Sequence, residues 1–531
     1  MAIIPTQNKY PDRAGYLGLD TDRNVLVGMS DGILQDMTNS VPESWINVKD
    51  FGAKGDGVTD DTQAITRALS VHKNVFIPEG TYIVSDIIYS YGSKIIKGTQ
   101  NTILKASDTA EFTNHNFITL FQQSNSIIEN LKIDMNWKYA TPLLISSSSN
   151  ILIHNCEFYN VSYSGLLSVL NSNNIFIFNN FLHDQSKFDS DPLIGGAAGG
   201  INVSSYGDQS SYNIFIENNI IENVGGNGIT IYHNPNTSVF NENIIIRNNL
   251  ISNTENLDGI QIYYFSQYVI IDSNIIENPD RAGIKIDSSQ YCTVSNNIIK
   301  NCRLGIQLHA RGHEYNNNML VKNNQIYLNN TIDADIGFGI TISGEPALNF
   351  LANTIDIIDN LIEGIGTKYF SGIDYGLITI GNAKNINIKH NTLKHTPSCG
   401  ITVRGTIKEC VIDSNTFNNC SYHESVNTAN IYFASTLDNT ESIISNNFFS
   451  NFHKPHDAIT RNVIEIHAQD VAVLNNVCAD WTNPRLFDYF IFEDPANTNN
   501  IIENNKFLGR DTVSLYSFAT STRTFNNDYQ V

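Results

Sequence analysis

The stretch Asn213-Ile214-Phe215-Ile216-Glu217-Asn218-Asn219-Ile220-Ile221-Glu222-Asn223-Val224-Gly225-Gly226-Asn227-Gly228-Ile229-Thr230-Ile231 decides the fold. Ile214 and Ile216 alternate with Phe215 and Glu217, the period of two that marks a strand with one buried face. Two asparagines follow, then a short aliphatic strand from Ile220, a turn, and a glycine that opens a third strand. The same order recurs from about residue 125 to about residue 507, and such self-similarity is the signature of a solenoid. The doublet stands at Asn179-Asn180, Asn218-Asn219, Asn248-Asn249, Asn296-Asn297, Asn323-Asn324, Asn446-Asn447, Asn475-Asn476 and Asn504-Asn505. Ser273-Asn274, Asp359-Asn360, His390-Asn391 and Ser414-Asn415 are variants of it. Its steps are about 23–25 residues at the tightest and about 29–39 elsewhere, so each unit is too small to bury its own apolar face and must stack on the next.

Three short strands per turn, with β-branched residues pointing inward, predict an all-β chain folded as a parallel β-helix of about a dozen coils. Asparagine tolerates the left-handed backbone of a tight bend, and its amide can bond the amide stacked above it. The doublets therefore read as a structural ladder rather than as a catalytic set.

Composition narrows the function. The net charge of −21 disfavours nucleic acid as a partner. Residues 1–40 lack a basic start followed by an apolar run, and no stretch is long and apolar enough to span a membrane. The expectation is a chain made without an N-terminal export signal and without membrane insertion. Seven cysteines cannot all pair. Cys292 and Cys410 fall in register with inward Val269, Cys302 and Cys420 share one turn position, and Cys478 aligns with inward Ile221. They read as small core residues with free thiols. No close Cys/His set suggests a metal, and nothing asks for a cofactor.

Residues 1–45 do not repeat, and the pattern changes at Trp45. The run Asn47-Val48-Lys49-Asp50-Phe51-Gly52-Ala53-Lys54-Gly55-Asp56-Gly57-Val58-Thr59-Asp60-Asp61-Thr62 follows, with Ala64, Ile65, Ala68 and Leu69 at helical spacing behind it. Asp60 or Asp61 is a good N-cap, and a helix there would cover the open first coil. Val75-Phe76-Ile77-Pro78-Glu79-Gly80-Thr81-Tyr82 then begins the strands.

This block resembles the N-terminal signature of the pectate-lyase-like superfamily of right-handed, single-stranded parallel β-helices. Polygalacturonase-like hydrolases carry Asn-Thr-Asp, Asp-Asp, Gly-His-Gly and Arg-Ile-Lys motifs; here the only Asp-Asp pair is Asp60-Asp61 in the cap, and the nearest Gly-His is Gly312-His313. Alginate epimerases carry Asp-Pro-His-Glu, whereas Asp191-Pro192 is followed here by Leu193. What remains is similar to bacteriophage tailspike and tail-appendage depolymerases. That resemblance implies a homotrimer in the virion that binds a host surface polysaccharide (capsule, O-antigen or teichoic acid) and cleaves it by glycosidic hydrolysis. A lyase and a non-catalytic receptor-binding appendage on the same scaffold are the alternatives. It also implies four parts: 1–45, attaching to a phage tail or baseplate protein; 46–75, a cap with a helix; 76–507, the β-helix; and 508–531, a C-terminal cap or trimerisation segment.

Chemistry on a solenoid belongs to outward side chains. Aligning the glycine strands gathers Tyr232, Asp258, Tyr263, Lys285, Asp287, His309 and Arg311 on about four consecutive coils, with Tyr264 beside them. At coil spacing Asp258 and Asp287 lie roughly 8 Å apart, suited to a general acid and base around a glycosidic bond with a water between them. Tyr232, Tyr263 and Tyr264 suit stacking on sugars. Lys285, His309 and Arg311 suit an anionic substituent, or could lower one carboxylate's pKa. The plain alternative is a set of solvated outward residues, with Asp287 and His309 as a cross-coil pair. A lyase would instead use Lys285, His309 or Tyr263 as base. A second candidate is the insertion at 182–200, with His183, Asp184, Asp189 and Asp191; its Asp189-Ser190-Asp191 is a weak Ca²⁺ motif. Glu222, Glu277, Lys300 and Glu363 line another sheet, with Glu277 and Lys300 as a surface pair.

Overall fold

The computed structural model describes residues 16–20, 25–30 and 33–36. From residue 45 onward it describes the chain except 113, 163, 187–198, 234–238, 311–316, 330–336, 345–350, 366–375, 397, 421–428, 438–439, 451–461, 481–486, 488, 510–515, 520 and 531. Tyr16–Asp20, Val25–Ser30 and Ile33–Asp36 form an antiparallel three-stranded sheet. Among the described residues every strand pairing from Ile46 on is parallel and joins one coil to the next.

Three strand types alternate along the chain: a glycine sheet such as Asn227–His233, a second sheet such as Asn241–Arg247, and a third such as Leu250–Thr254. Inward isoleucines of the glycine sheet stack in one file, Ile201, Ile229, Ile260, Ile284, Ile306, Ile340, Ile378, Ile401, Ile431, Ile464 and Ile491. All are buried, each worth about 1.5–3 kcal/mol of burial. The marker glycine serves close packing. A Cβ on Gly228 would collide with Ile251 of the third sheet and with the Gly259 carbonyl.

The two asparagines of the doublet divide the work. The first takes the bend, with φ of 54° at Asn179, 56° at Asn218 and 55° at Asn248. The second points inward and hydrogen-bonds its counterpart on the next coil. The file runs unbroken from Asn180 through Asn219, Asn249, Asn274, Asn297, Asn324, Asn360, Asn391, Asn415, Asn447, Asn476 and Asn505 to Asn527. In each link the Nδ2 donates to the next Oδ1, which also accepts the backbone N–H below it, as Asn274 does to Asn297 at 3.0 Å for both. Buried amides are thereby satisfied without water.

The stack is longer than the doublets alone predict. Third-sheet strands run from Asp56–Asp60 and Gly80–Val84 to Asp528–Gln530, eighteen in all among the described residues. The early coils escape notice because Leu131 and Cys156 stand where the ladder asparagine would be; the Cys156 N–H already donates to Asn180. At the other end the repeat does not stop near residue 507. Tyr516–Ser517, Arg523–Phe525 and Asp528–Gln530 pair as one more coil, and Asn527 extends the ladder.

The cap follows the sequence reading with one exchange of roles. Thr62–Val71 is helical and buries Ile65, Ala68 and Leu69 over the first coils. Asp60 accepts the Thr62 N–H at 3.0 Å. Asp61, at the cap position, instead accepts Lys54 N–H at 2.7 Å and Gly55 N–H at 3.0 Å. All seven cysteines are buried free thiols.

Candidate functional site

The register of the glycine sheet fixes which outward side chains meet. Ser204, Tyr232, Tyr263, Asp287, His309, Ser343, Gly381 and Arg404 form one file along the solenoid. Beside it runs a second file, Thr230, Gln261, Lys285, Gln307, Thr341 and Thr379. Six of the predicted residues therefore meet on one face: Tyr232, Tyr263, Tyr264, Lys285, Asp287 and His309. Arg311 lies outside the described residues.

The tyrosines form a platform. Tyr206 and Tyr232 have ring centroids 5.7 Å apart, Tyr232 and Tyr263 stack at 5.8 Å, and Tyr263 and Tyr264 lie 4.0 Å apart. The Tyr264 hydroxyl donates to that of Tyr263 at 3.0 Å. Tyr264 and Phe265 turn the chain with φ of 61° and 39°. Bulky side chains rarely adopt this strained conformation, and it tends to collect at functional sites. Burial raises the pKa of the Tyr232 phenol.

The acids are not solvated as the alternation suggests. Asp258 and Asp287 are both 0% exposed. Asp258 accepts Arg281 Nε at 2.9 Å, Arg281 Nη2 at 2.6 Å and the Ala282 N–H at 3.0 Å. Asp287 is ion-paired to Lys285 Nζ at 3.0 Å, with His309 Nδ1 3.8 Å from its other oxygen. It has no further hydrogen bond among the described residues. Burial pushes the pKa of Asp287 above the ordinary carboxylate value, against the pull of Lys285 and His309, and the charge of Asp258 adds to the rise. Lys285 also lies 6.0 Å over the Tyr263 ring. Neither acid can thus be removed without touching the interior, contrary to the expectation from an outward position.

Beyond His309 the outward file drops to Ser343 and Gly381, and a groove of about 730 Å³ opens there. Gly376–Lys389 and Cys399–Asp413 are continuous strands that pass from the glycine sheet into the second sheet without a break. Arg281, Arg303 and Phe338 line one wall and Arg404 the other. Further along the same face, His467 donates to Glu465 at 2.8 Å and to Asp494 at 3.0 Å, and these partners raise its pKa against desolvation.

Arg281, Arg303 and this histidine cluster are absent from the sequence reading. The arginines stand in turns before strands, where no alternation points to them. After Gly400 the marker position before the inward isoleucine becomes Asn430, Val463 and Phe490, so an alignment on glycine stops short of Glu465. Register through Asn447 and Asn476 recovers it.

The second candidate separates. His183 and Asp184 lie in the strand Phe181–Gln185 of the third sheet rather than in a loop. His183 packs between Tyr159 and Phe181 and meets Asp184 at 2.8 Å and Glu157 at 3.3 Å. Asp189 and Asp191 lie outside the described residues. Lys300 and Glu277 pair at 2.8 Å on that sheet, both well exposed.

Residues 45–251 match the family described as rhamnogalacturonase A/epimerase, pectate lyase-like, and residues 199–376 match the right-handed β-helix region. The chain is 24% identical to the pre-neck appendage protein of Bacillus phage phi29, over 69% of this chain and 46% of that protein. It thus spans about half the length of that curated relative. Over 21% of its length it is 37% identical to a glucan 1,3-beta-glucosidase of Cochliobolus carbonum, covering 17% of that protein. The N-terminal fragment of phage phi29 gene product 12 superposes with a TM-score of 0.48 at 16% identity, covering 91% of this chain and 93% of that one. The fold is a right-handed parallel β-helix similar to that of the pectate-lyase-like proteins, and the two family matches together span residues 45–376.

Proposed function

We propose that the protein is a phage tail appendage that binds a host cell-surface polysaccharide along the glycine sheet and cleaves it by glycosidic hydrolysis. One observation carries the reading: the stacked tyrosines lead directly into the Lys285–Asp287–His309 cluster and then into the groove, along one outward face. Aromatic platforms take sugar rings, and a desolvated carboxyl holds the proton that a leaving glycosidic oxygen needs. Asp287 is the general acid of this proposal. Asp258, ion-paired to Arg281, is its charged partner and the candidate base. Substrate reaches Asp287 when Lys285 or His309 swings aside. The likeness to a phage pre-neck appendage protein and to a glucan glucosidase supports the two halves of the reading.

The complete burial of both carboxylates favours one second reading, a receptor-binding appendage without turnover. Incubation with capsule, O-antigen and teichoic acid from candidate hosts separates them. New reducing ends mean hydrolysis, the ultraviolet absorbance of an unsaturated uronate means elimination, and binding without shortening means an adhesin.

The same proposal takes the particle as a parallel homotrimer in the virion, attached through residues 1–45. Apolar files on the outside of the solenoid support it. Ile220, Leu250 and Ile275 stack in register on the third sheet and are 37–42% exposed. A monomeric mass by light scattering, with folded circular dichroism, would count against the trimer.

A further inference from the structure

Past the groove, the glycine-sheet face carries a second cluster of titratable side chains that the hydrolysis proposed above does not use. Glu465 stands in register with Tyr432 on the coil before it and with Phe492 on the coil after it. Two coil steps separate Tyr432 from Phe492, about 9.6 Å. The Glu465 carboxylate thus lies between two aromatic side chains. His467, in the neighbouring outward file, donates to Glu465 Oε1 at 2.8 Å and to Asp494 Oδ2 at 3.0 Å. Its ring centroid is 5.4 Å from that of Tyr432 and 6.2 Å from that of Phe492.

The cluster is short of positive charge. Among the described residues no Lys or Arg pairs with Glu465 or Asp494; each acid has His467 alone as its ionic partner. Two carboxylates and a protonated His467 leave one negative charge uncompensated, and a neutral His467 leaves two. Glu465 is only 12% exposed, so water does little to screen it. Asn462 supplies an independent sign of a missing partner. It is 6% exposed, and its Nδ2 donates to Glu465 Oε2 at 2.9 Å, which places the amide in the cluster. Its Oδ1 is buried with no hydrogen-bond partner among the described residues. Buried acceptors are nearly always satisfied.

These groups fix the chemistry of what is missing. The Asn462 Oδ1 and the carboxylate oxygens all accept, and both ring N–H groups of His467 are already spent on the acids. The partner must therefore donate and carry positive charge. Among the described residues no group of three or more His, Cys, Asp and Glu is placed to hold a metal ion. An ammonium group offers three donors, forms charge-assisted bonds to carboxylates and is attracted by aromatic faces. The net charge of −21 draws such a ligand in from a distance. We infer that this cluster is a subsite for a primary ammonium group, so that the protein recognises a free amine carried by its glycan. This rests on the glycan-binding reading above and adds a chemical group to its ligand.

The test is calorimetric titration of the full chain, at mildly acidic pH, with a glucosamine tetramer, with its N-acetylated counterpart and with alanine methyl ester. The proteins are the parent, Glu465→Gln, Asp494→Asn and Asn462→Ala, with Glu277→Gln as a charge-matched change on the third sheet. At least one amine probe should bind, and the glucosamine tetramer, if it is that probe, should bind at least about tenfold more tightly than its acetylated form. Glu465→Gln should weaken amine binding at least about tenfold, the loss of one charged hydrogen bond. Asn462→Ala should weaken it as well, and Glu277→Gln should leave it unchanged. Which probe binds tells an amino sugar from an aminoacyl ester. Asp494 is 39% exposed, so Asp494→Asn keeps the test valid if Glu465→Gln lowers the melting temperature. Equal binding of the two tetramers, untouched by the substitutions, overturns the inference and leaves glycan binding standing. A loss in Glu277→Gln as large as in Glu465→Gln means diffuse attraction to an acidic chain and overturns it too. Failure of both amine probes to bind also overturns it, while the host-polysaccharide assay above decides the glycan reading separately.

Discussion

Asp258 and Arg281 form a two-armed ion pair across neighbouring coils, Nε to Oδ1 at 2.9 Å and Nη2 to Oδ2 at 2.6 Å, with the acid fully buried and the arginine partly in solvent. Breaking a buried pair from one side costs about 3–5 kcal/mol. The exposed arginine softens the loss when the acid is removed. Asp258→Ala should therefore destabilise by about 2–3 kcal/mol and Arg281→Ala by more, since the latter strands a buried charge. Urea unfolding midpoints check the order, and equal, negligible shifts would remove the pair from any account of stability.

Asp287 has the opposite sign. Its folded pKa is raised, so the folded state holds the proton more tightly than the unfolded chain does. Stability should fall as pH rises above the ordinary carboxylate value of 3.8, until the folded group ionises. Asp287→Asn should flatten that slope, and it should also leave the nearly buried Lys285 ammonium without its ion-pair partner. If Asp287 is the acid, the same variant should lose at least about a hundredfold in turnover with binding retained. Normal turnover in Asp287→Asn would move the chemistry elsewhere on the face.

His467 offers a contrast on the alkaline side. Glu465 and Asp494 raise its folded pKa above 6.5. The stability it contributes is complete below that value and is lost as pH climbs through the folded pKa. Asp494 is lowered by the Ala496 N–H and by His467, so its share is lost as pH falls below 3.8. Melting curves of His467→Gln should lose the alkaline dependence seen in the parent; an unchanged profile would mean the histidine is not held charged.

The ladder should be position-dependent. Asn297→Ala strips partners from Asn274, Asn324 and the Ile271 carbonyl at once. Each buried group left unsatisfied costs about 1–3 kcal/mol, so the total should reach at least about 3 kcal/mol. Asn527 has ladder contact on one side only and is part-buried, so Asn527→Ala should cost about 1 kcal/mol. Equal losses at the two sites, in denaturant titrations, would contradict a ladder mechanism.

Burial pushes Cys156, Cys292, Cys302, Cys410 and Cys420 up to about 12. Thiolate is the reactive form, so an aromatic disulfide reagent should find almost no thiol in the native protein. It should find all seven after denaturation without reductant.

The sequence exposes the fold almost completely because the solenoid repeats its reasons. Inward isoleucines, bending asparagines and close-packed glycines each have one function and recur at it. The file Tyr232–Tyr263–Asp287–His309 is legible for the same cause, since a period of two fixes the face. Burial of Asp258 and Asp287 is not legible, because it depends on how Arg281, Lys285 and His309 lie over them from the same and neighbouring coils, which alternation does not specify. The notch at Gly381 is hidden as well. Its coil carries Leu377 at the glycine position, in register with Gly400, so a glycine alignment passes over it. Arg281 and Arg303 lie in turns, where pattern carries no facing information.

The one-way asparagine file has a mechanical consequence. Each coil grips the next through three strand pairings, the buried asparagine file, the stacked isoleucines and outer asparagine pairs such as Asn253 to Asn223 and Asn278 to Asn253, and almost every one of these contacts joins neighbouring coils. Pulled from its ends, such a body should not tear across the middle. It should unwind from a terminus, releasing chain in steps set by the spacing of successive ladder residues, 23 for Asn274 to Asn297 and 36 for Asn324 to Asn360. Its extension under load would be a readable record of its own repeat.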